Sequence, residues 1–491
     1  MSIRLFTIGD SVSQGFIHGG AARTETAFST LLAEALGISG YQYLDWGANK
    51  LKVDLEIVLR YLQEKRGNDI AGLEWVAAAF DINHVLDGWE EYFERGQGKL
   101  GLPISSPQPF FHNVAVEGMT VADAWSVTPE LCTQMVNSNP DSKKDDLVGV
   151  ASESFYRNAY RVLNPHALPA HNTKSPLDWL SYHCANGGVE NLVLWLGANN
   201  ALGTVIGLNV KQTPGDGTTA INANRKTRET WNLWHPRDFE AEFSLLMAKV
   251  DEAVGENAGQ DCHIFVGTVP LVTIAPLTKG IGEARIVPDP SGRTDRQFRY
   301  YQDYTYFFLS EPLATKMNAK LSFPDALFID KTIIEFNNII IRLTEAANLK
   351  ADNPRVKYHI VPISDCLTDM AWKRNSGSPT YKYPPEFQWL YPPVDSKYYD
   401  VDPKGKQVAG GLFGLDGVHP SVIGQGLIAH EFLKAMQAAG RAAGGIAIPW
   451  PQVFSSDSLR TNPIRVMHEL YENDGLIRFL LFVSSLFSKN A

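Results

Sequence analysis

Ser11, Asp416 and His419 are the residues of this chain whose types could act together as chemistry. Ser11 ends the stretch Phe6-Thr7-Ile8-Gly9-Asp10-Ser11, and the other two stand in Gly414-Leu415-Asp416-Gly417-Val418-His419-Pro420-Ser421. A hydroxyl is a weak nucleophile at neutral pH. It becomes a useful one when an imidazole takes its proton and a carboxylate fixes the tautomer of that imidazole. Asp416 and His419 are three residues apart in a glycine-bearing turn closed by Pro420, so one loop can present both. The chemistry would be attack on a carbonyl, with Ser11 as nucleophile, His419 as general base and Asp416 holding the ring. The same stretch is also a helix start signal, with Asp416 or Ser421 capping a helix from about Val422 to Met436. That signal does not exclude catalysis.

The elements that must carry these residues are legible around them. Ile3, Leu5, Phe6 and Ile8 read as a buried strand, stopped by the Gly9-Asp10-Ser11 turn. Ala27 to Gly37 repeats apolar residues three and four apart and ends on glycine, a helix. Asn191 to Leu196 is a second buried strand, Cys262 to Pro270 a third and Tyr358 to Ile363 the last. Between them Asp238 to Val254 and Lys331 to Leu349 read as helices. Strands alternating with helices predict an α/β fold with a parallel sheet covered on both faces. In such sheets, ligand sites lie at the carboxyl ends of strands, which is where Ser11 falls.

Two further stretches complete a pattern. One is Leu194-Trp195-Leu196-Gly197-Ala198-Asn199-Asn200. The other is His112-Asn113-Val114-Ala115-Val116-Glu117-Gly118-Met119-Thr120, an Asn followed by Gly five residues on and Thr two further. With these four blocks in order, the chain resembles the GDSL, or SGNH, hydrolases, a family of serine esterases and lipases. The resemblance implies a three-layer α/β/α sandwich of flavodoxin-like type around a central parallel sheet. It implies an ester hydrolase working through an acyl-enzyme, and an oxyanion hole built from the N–H groups of Ser11 and Gly118 and the amide of Asn199. Asn200 stands where the family pattern has aspartate, which puts a supporting hydrogen bond in question. Gly47, in Leu44-Asp45-Trp46-Gly47, is the rival to Gly118, and the spacing favours Gly118. Residues 48–108 are then an insertion. Aromatic and apolar insertions point to lipid or acyl esters. An acetyl-carbohydrate esterase, or a non-catalytic ligand-binding protein of the same fold, are the alternatives. The mechanism requires no metal and no cofactor.

Composition limits the partners. The 491 residues carry a net charge of -10 with 20% charged and 44% hydrophobic residues, and no long basic run is present. A soluble globular protein with a small-molecule or lipid ester as substrate, and no nucleic acid, is expected. Cys132, Cys184, Cys262 and Cys366 lack ligand spacing and read as free thiols. Met1 to Arg4 leads directly into the first strand, so no signal peptide is expected and a cytoplasmic location follows. Gly96-Gln97-Gly98-Lys99 lacks the hydroxyl residue of a phosphate loop.

The remaining stretches divide as follows. His18-Gly19-Gly20 is similar to the His-Gly-Gly of lipase oxyanion loops but precedes a helix, and reads as a flexible loop. Leu51 to Phe93 is helical in pattern, with Trp75 to Phe80 open between strand and buried helix. Lys143-Lys144-Asp145-Asp146 reads as a solvated face and His263 as a core or strand-edge histidine. Lys279 to Leu309 is irregular and aromatic, an insertion (279–309) expected to pack on the domain, with a lid or acyl-binding wall as the alternative. Thr380 to Asp402 should lie near the site mouth. The hydrolase domain is expected over 1–445. A C-terminal extension, 446–491, holds the apolar run Leu476 to Phe487, too short to span a bilayer. Docking on the domain or homo-oligomer formation is favoured for it over contact with a membrane surface.

Overall fold

Phe6, Thr7, Ile8 and Gly9 are all buried, and a strand hidden on both faces belongs to a parallel sheet covered on both sides. The computed structural model describes residues 2–68, 70, 74–140, 150–257, 259–349 and 355–468. Four parallel strands form the central sheet: β1 (Phe6–Gly9), β2 (Asn191–Trp195), β3 (Cys262–Gly267) and β4 (Val356–Val361), adjacent in that order. The register pairs Gly9 with Trp195, Leu194 with Val266 and Gly267 with Val361, which aligns all four carboxyl ends along one edge. The outer side of β1 is not bare. Thr7 N–H donates to His112 O at 2.8 Å, Val114 N–H to Thr7 O at 3.0 Å and Val116 N–H to Gly9 O at 3.2 Å. The stretch 112–116 therefore runs alongside β1, a pairing that the sequence pattern did not suggest.

Helices cover both faces. Phe6, Ile8, Leu192, Leu194 and Ile264 point into a core shared with the helices Pro236–Gly255 and Phe323–Leu349, where Phe239 stacks on Phe336. Val193, Trp195 and Phe265 point the other way, towards the helices Phe28–Ala35 and Val422–Ala438, where Phe28 stacks on Phe432. Each buried ring of this size is worth about 1.5–3 kcal/mol relative to exposure. The fold is thus α/β with a four-stranded parallel sheet, and no helix of the described residues is long and apolar enough to cross a membrane. All four cysteines are free.

The stretch 48–108 contributes two helices, Leu55–Arg66 and Glu74–Glu94, so Trp75 to Phe80 lies in a helix. Asp54 caps the first through hydrogen bonds from Glu56 N–H at 3.0 Å and Ile57 N–H at 3.1 Å. Val58, Leu59, Leu62, Ile82 and Leu86 bury themselves with Leu415, Leu459, Ile464 and Val466. The last described residues thus pack against this stretch, and Trp450 and Val453 pack on the Val422–Ala438 helix. Leu476 to Phe487 and Lys143 to Asp146 lie outside the described residues.

Lys279 to Leu309 is not irregular. Thr278–Pro288 and Gln297–Tyr306 form an antiparallel hairpin, and Leu321–Ser322 adds a third short strand to it. Much of the first arm is exposed on both faces, which erases the alternation that marks a half-buried strand.

Candidate active site

Ser11 opens a single helical turn, Ser11–Gln14, immediately beyond the carboxyl end of β1. Asp10 caps that turn by accepting from Val12 N–H at 3.1 Å. Burial pushes the Asp10 carboxyl up to about 6, against the opposing pull of the Val12 N–H and of His419 nearby. Its role is structural, as a cap for the turn that carries Ser11.

Asp416 and His419 come to this turn from the far end of the chain. His419 Nδ1 lies 2.7 Å from Asp416 Oδ2, and both side chains are 12% exposed. Asp416 is held on every side: Oδ1 accepts from Val418 N–H at 2.8 Å and His419 N–H at 2.9 Å, and Oδ2 also accepts from Gly19 N–H at 2.6 Å. Burial alone would raise this carboxyl, but the His419 ring and the N–H groups of Val418 and His419 bring it down to about 2. For His419 burial works downward, and Asp416, Glu117 and Asp10 outweigh it, so the imidazole titrates above its ordinary 6.5. Gly417, at φ 66°, could not be another residue without a clash, because a Cβ there would sit 2.6 Å from Leu277 N. Leu277 N–H in turn donates to Gly417 O at 2.8 Å.

The loop and the helix that follows it lie against the chain around Ser11. Phe16 lies 6.0 Å from the His419 ring, centroid to centroid, and Gln425 Nε2 donates to Val12 O at 3.1 Å. Among the described residues the Ser11 hydroxyl has no hydrogen bond to His419. Nucleophile and base pairs are often loose until substrate is bound.

Gly118 follows the stretch that runs beside β1. Its φ of 81° is in the left-handed region, and a Cβ would meet the Phe155 ring at 3.4 Å. The peptide is clamped from both ends: Glu117 N–H donates to Gln14 Oε1 at 2.8 Å, and Arg225 Nη2 donates to Gly118 O at 3.3 Å. Among the described residues, neither the Ser11 N–H nor the Gly118 N–H has an acceptor. Unpaired N–H groups in a largely buried setting are unusual and fit groups kept for a ligand. Gly47 is exposed, with open space where its Cβ would be.

Asn199 follows β2 and donates one amide proton to Met119 O at 2.9 Å, leaving its second proton. Asn200 does not lack support. Its Oδ1 accepts from Val121 N–H at 3.2 Å and its Nδ2 donates to Glu242 Oε2 at 3.3 Å. Burial raises the Glu242 carboxyl to about 7. An aspartate at 200 would set a second carboxyl against it, so the amide is the group that fits.

Sequence reasoning missed four contributors: His18, Gly19, Gln14 and Arg225. His18 is fully buried, and Gly19 bonds to Asp416, so His18-Gly19-Gly20 is a packed support for the acid loop rather than a flexible loop. Tyr398, from the Thr380 to Asp402 stretch, donates to Leu415 O, whereas Tyr381 of that stretch instead bonds Glu431 Oε1 at 2.7 Å. His263 pairs with His359 on the sheet, Nδ1 to Nε2 at 2.9 Å, away from these residues. No group of three or more His, Cys, Asp or Glu among the described residues could hold a metal ion. Comparison with models of known protein families gives no match. Comparison with curated proteins likewise gives none.

Proposed function

We propose that this chain is a serine hydrolase of the GDSL, or SGNH, type that cleaves carboxylic esters through an acyl-enzyme. The observation that carries the reading is the meeting of the Asp416–His419 pair, at 2.7 Å, with a turn whose Ser11 N–H is unpaired. The sheet with helices on both faces fits the three-layer sandwich of that family.

In this reading the residues divide the work between them. Ser11 Oγ attacks the ester carbonyl while His419 Nε2 takes its proton, and Asp416 stabilises the imidazolium so formed. The carbonyl oxygen becomes an oxyanion facing the N–H groups of Ser11 and Gly118 and the free proton of Asn199. Each such donor is worth about 2.7–4 kcal/mol of barrier. His419 returns the proton to the leaving alcohol, and water, activated by the same base, releases the acid. Lipid or acyl esters are the favoured substrates and acetylated sugars the alternative.

Hydrolysis of p-nitrophenyl esters from acetate to palmitate, by the wild-type protein and by Ser11→Ala, tests this. Activity lost in Ser11→Ala supports the assignment, and the chain-length optimum separates acetyl from long-chain substrates. A wild type inert on every ester, or matched by Ser11→Ala, leaves the binding-protein reading in its place.

A further inference from the structure

The chain contains a second carboxylate and histidine pair, behind the first. His18 is fully buried, at φ 59°, and its Nδ1 accepts from Leu415 N–H at 3.0 Å. A ring nitrogen that accepts carries no proton, so the proton is on Nε2, which stands 3.1 Å from Glu56 Oε2 and bent from a straight hydrogen bond. Glu56 is itself fixed: Arg23 and Arg60 pair with it, and Ser458 Oγ donates to it at 3.0 Å. The peptide groups of this turn are also used, since Leu55 N–H donates to His18 O at 2.9 Å and the next residue, Gly19, donates to Asp416 Oδ2 at 2.6 Å.

From these contacts we infer that His18, oriented by Glu56, is a positioning residue for the catalytic acid, a role that rests on the ester hydrolase reading. The relay runs from Glu56 through His18 to the peptide N–H just ahead of Asp416, and through Gly19 to the carboxylate itself. Without the Nδ1 acceptor, Leu415 N–H is buried and unsatisfied, and the Asp416 loop loses the brace that sets its distance to His419. A misplacement of about 1 Å in a catalytic constellation lowers turnover about 100-fold.

His18→Phe keeps a ring and removes the acceptor. His18→Asn keeps an acceptor near the Nδ1 position and suits the left-handed backbone. Two readouts are taken on each folded variant: kcat and KM on the best ester, and the downfield proton NMR resonance of His419 Nδ1–H against Asp416. For His18→Phe the expected result is a kcat about 10- to 100-fold lower with KM within about twofold, and a shifted or lost resonance. His18→Asn should keep the resonance and most of kcat. Should His18→Phe fail to fold, Glu56→Gln decides, with a shifted resonance and a severalfold lower kcat expected. Wild-type rate and resonance in a folded His18→Phe or, failing that, in Glu56→Gln overturn the inference, as does loss of both in His18→Asn. If the wild type hydrolyses no ester, the function reading falls, and the resonance alone still judges the brace.

Discussion

Asp416–His419 and Glu56–His18 are two carboxylate and histidine pairs joined through one short loop, yet their surroundings make them opposites. In the first the oxygen to nitrogen distance is 2.7 Å and both side chains reach solvent at 12%. In the second it is 3.1 Å, with 0% and 2% exposure. Asp416 is neutralised by its own histidine and by peptide N–H groups, whereas Glu56 is neutralised by Arg23 and Arg60. The free ring nitrogen differs as well. His18 spends its second nitrogen on Leu415 N–H, and His419 keeps Nε2 unengaged among the described residues. One pair thus keeps a ring nitrogen unengaged among the described residues, and the other commits one to the backbone of the loop that carries the first.

That contrast breaks most visibly at the acids. Asp416→Asn should lower kcat about 10,000-fold, because the amide favours the wrong imidazole tautomer. Single-turnover kinetics on a p-nitrophenyl ester would measure it. Next in size is Asn199→Ala, which leaves both pairs intact and removes a donor on the far side of Ser11. A loss of about 100- to 1,000-fold in kcat with little change in KM is expected. It would separate the contribution of the pair from that of the oxyanion it serves.

Glu56→Ala should act on stability more than on chemistry. Removing one partner of a fully buried ion pair costs about 3–5 kcal/mol. Arg23 and Arg60 are 21% and 27% exposed and can turn to water, so urea denaturation should give a smaller loss, about 2 kcal/mol. The smallest effect is expected at Glu117, whose carboxylate Lys52 holds at 2.8 Å and whose charge helps raise His419. His419 must be neutral to accept the proton, so activity rises as pH climbs through its raised pKa. Glu117→Gln removes part of that raise. The acid limb of the kcat/KM profile should therefore move to lower pH, with the plateau little changed. His419 also contributes stability that is fully present below about 6.5 and fades as pH rises through its folded pKa, a contribution Glu117→Gln should reduce.

The turn at Ser11 and the pairing of Asp416 with His419 were legible because short-range chemistry marks them: a turn after an apolar run, and an acid and an imidazole three residues apart. Gly118 was singled out by the Asn, Gly and Thr pattern of the family resembled, and the stretch 112–116 lying along β1 leads the chain to it. His18 was not read as a support, because its partners Glu56 and Leu415 are 38 and 397 positions away and local pattern carries no trace of them. Asn200 looked like a departure for the same reason, since the Glu242 that suits it is on a distant helix. The four sheet strands were readable from their apolar runs. The hairpin at 278–306 was not, because its exposed first arm lacks a period.

The bond from Gly19 to Asp416 spans 397 residues of chain. At a synthesis rate of about 5–20 residues per second, a ribosome takes about 20 to 80 s to travel that interval. During that time the nascent chain holds Ser11 without the Asp416–His419 pair, and β1 waits for β2 to cover its inner edge. The bond between Gly19 and Asp416 is therefore a late product of translation, possible only once the intervening chain has been made. A chain cut short before Asp416 would hold Gly19 without the carboxylate that its N–H meets in the finished fold.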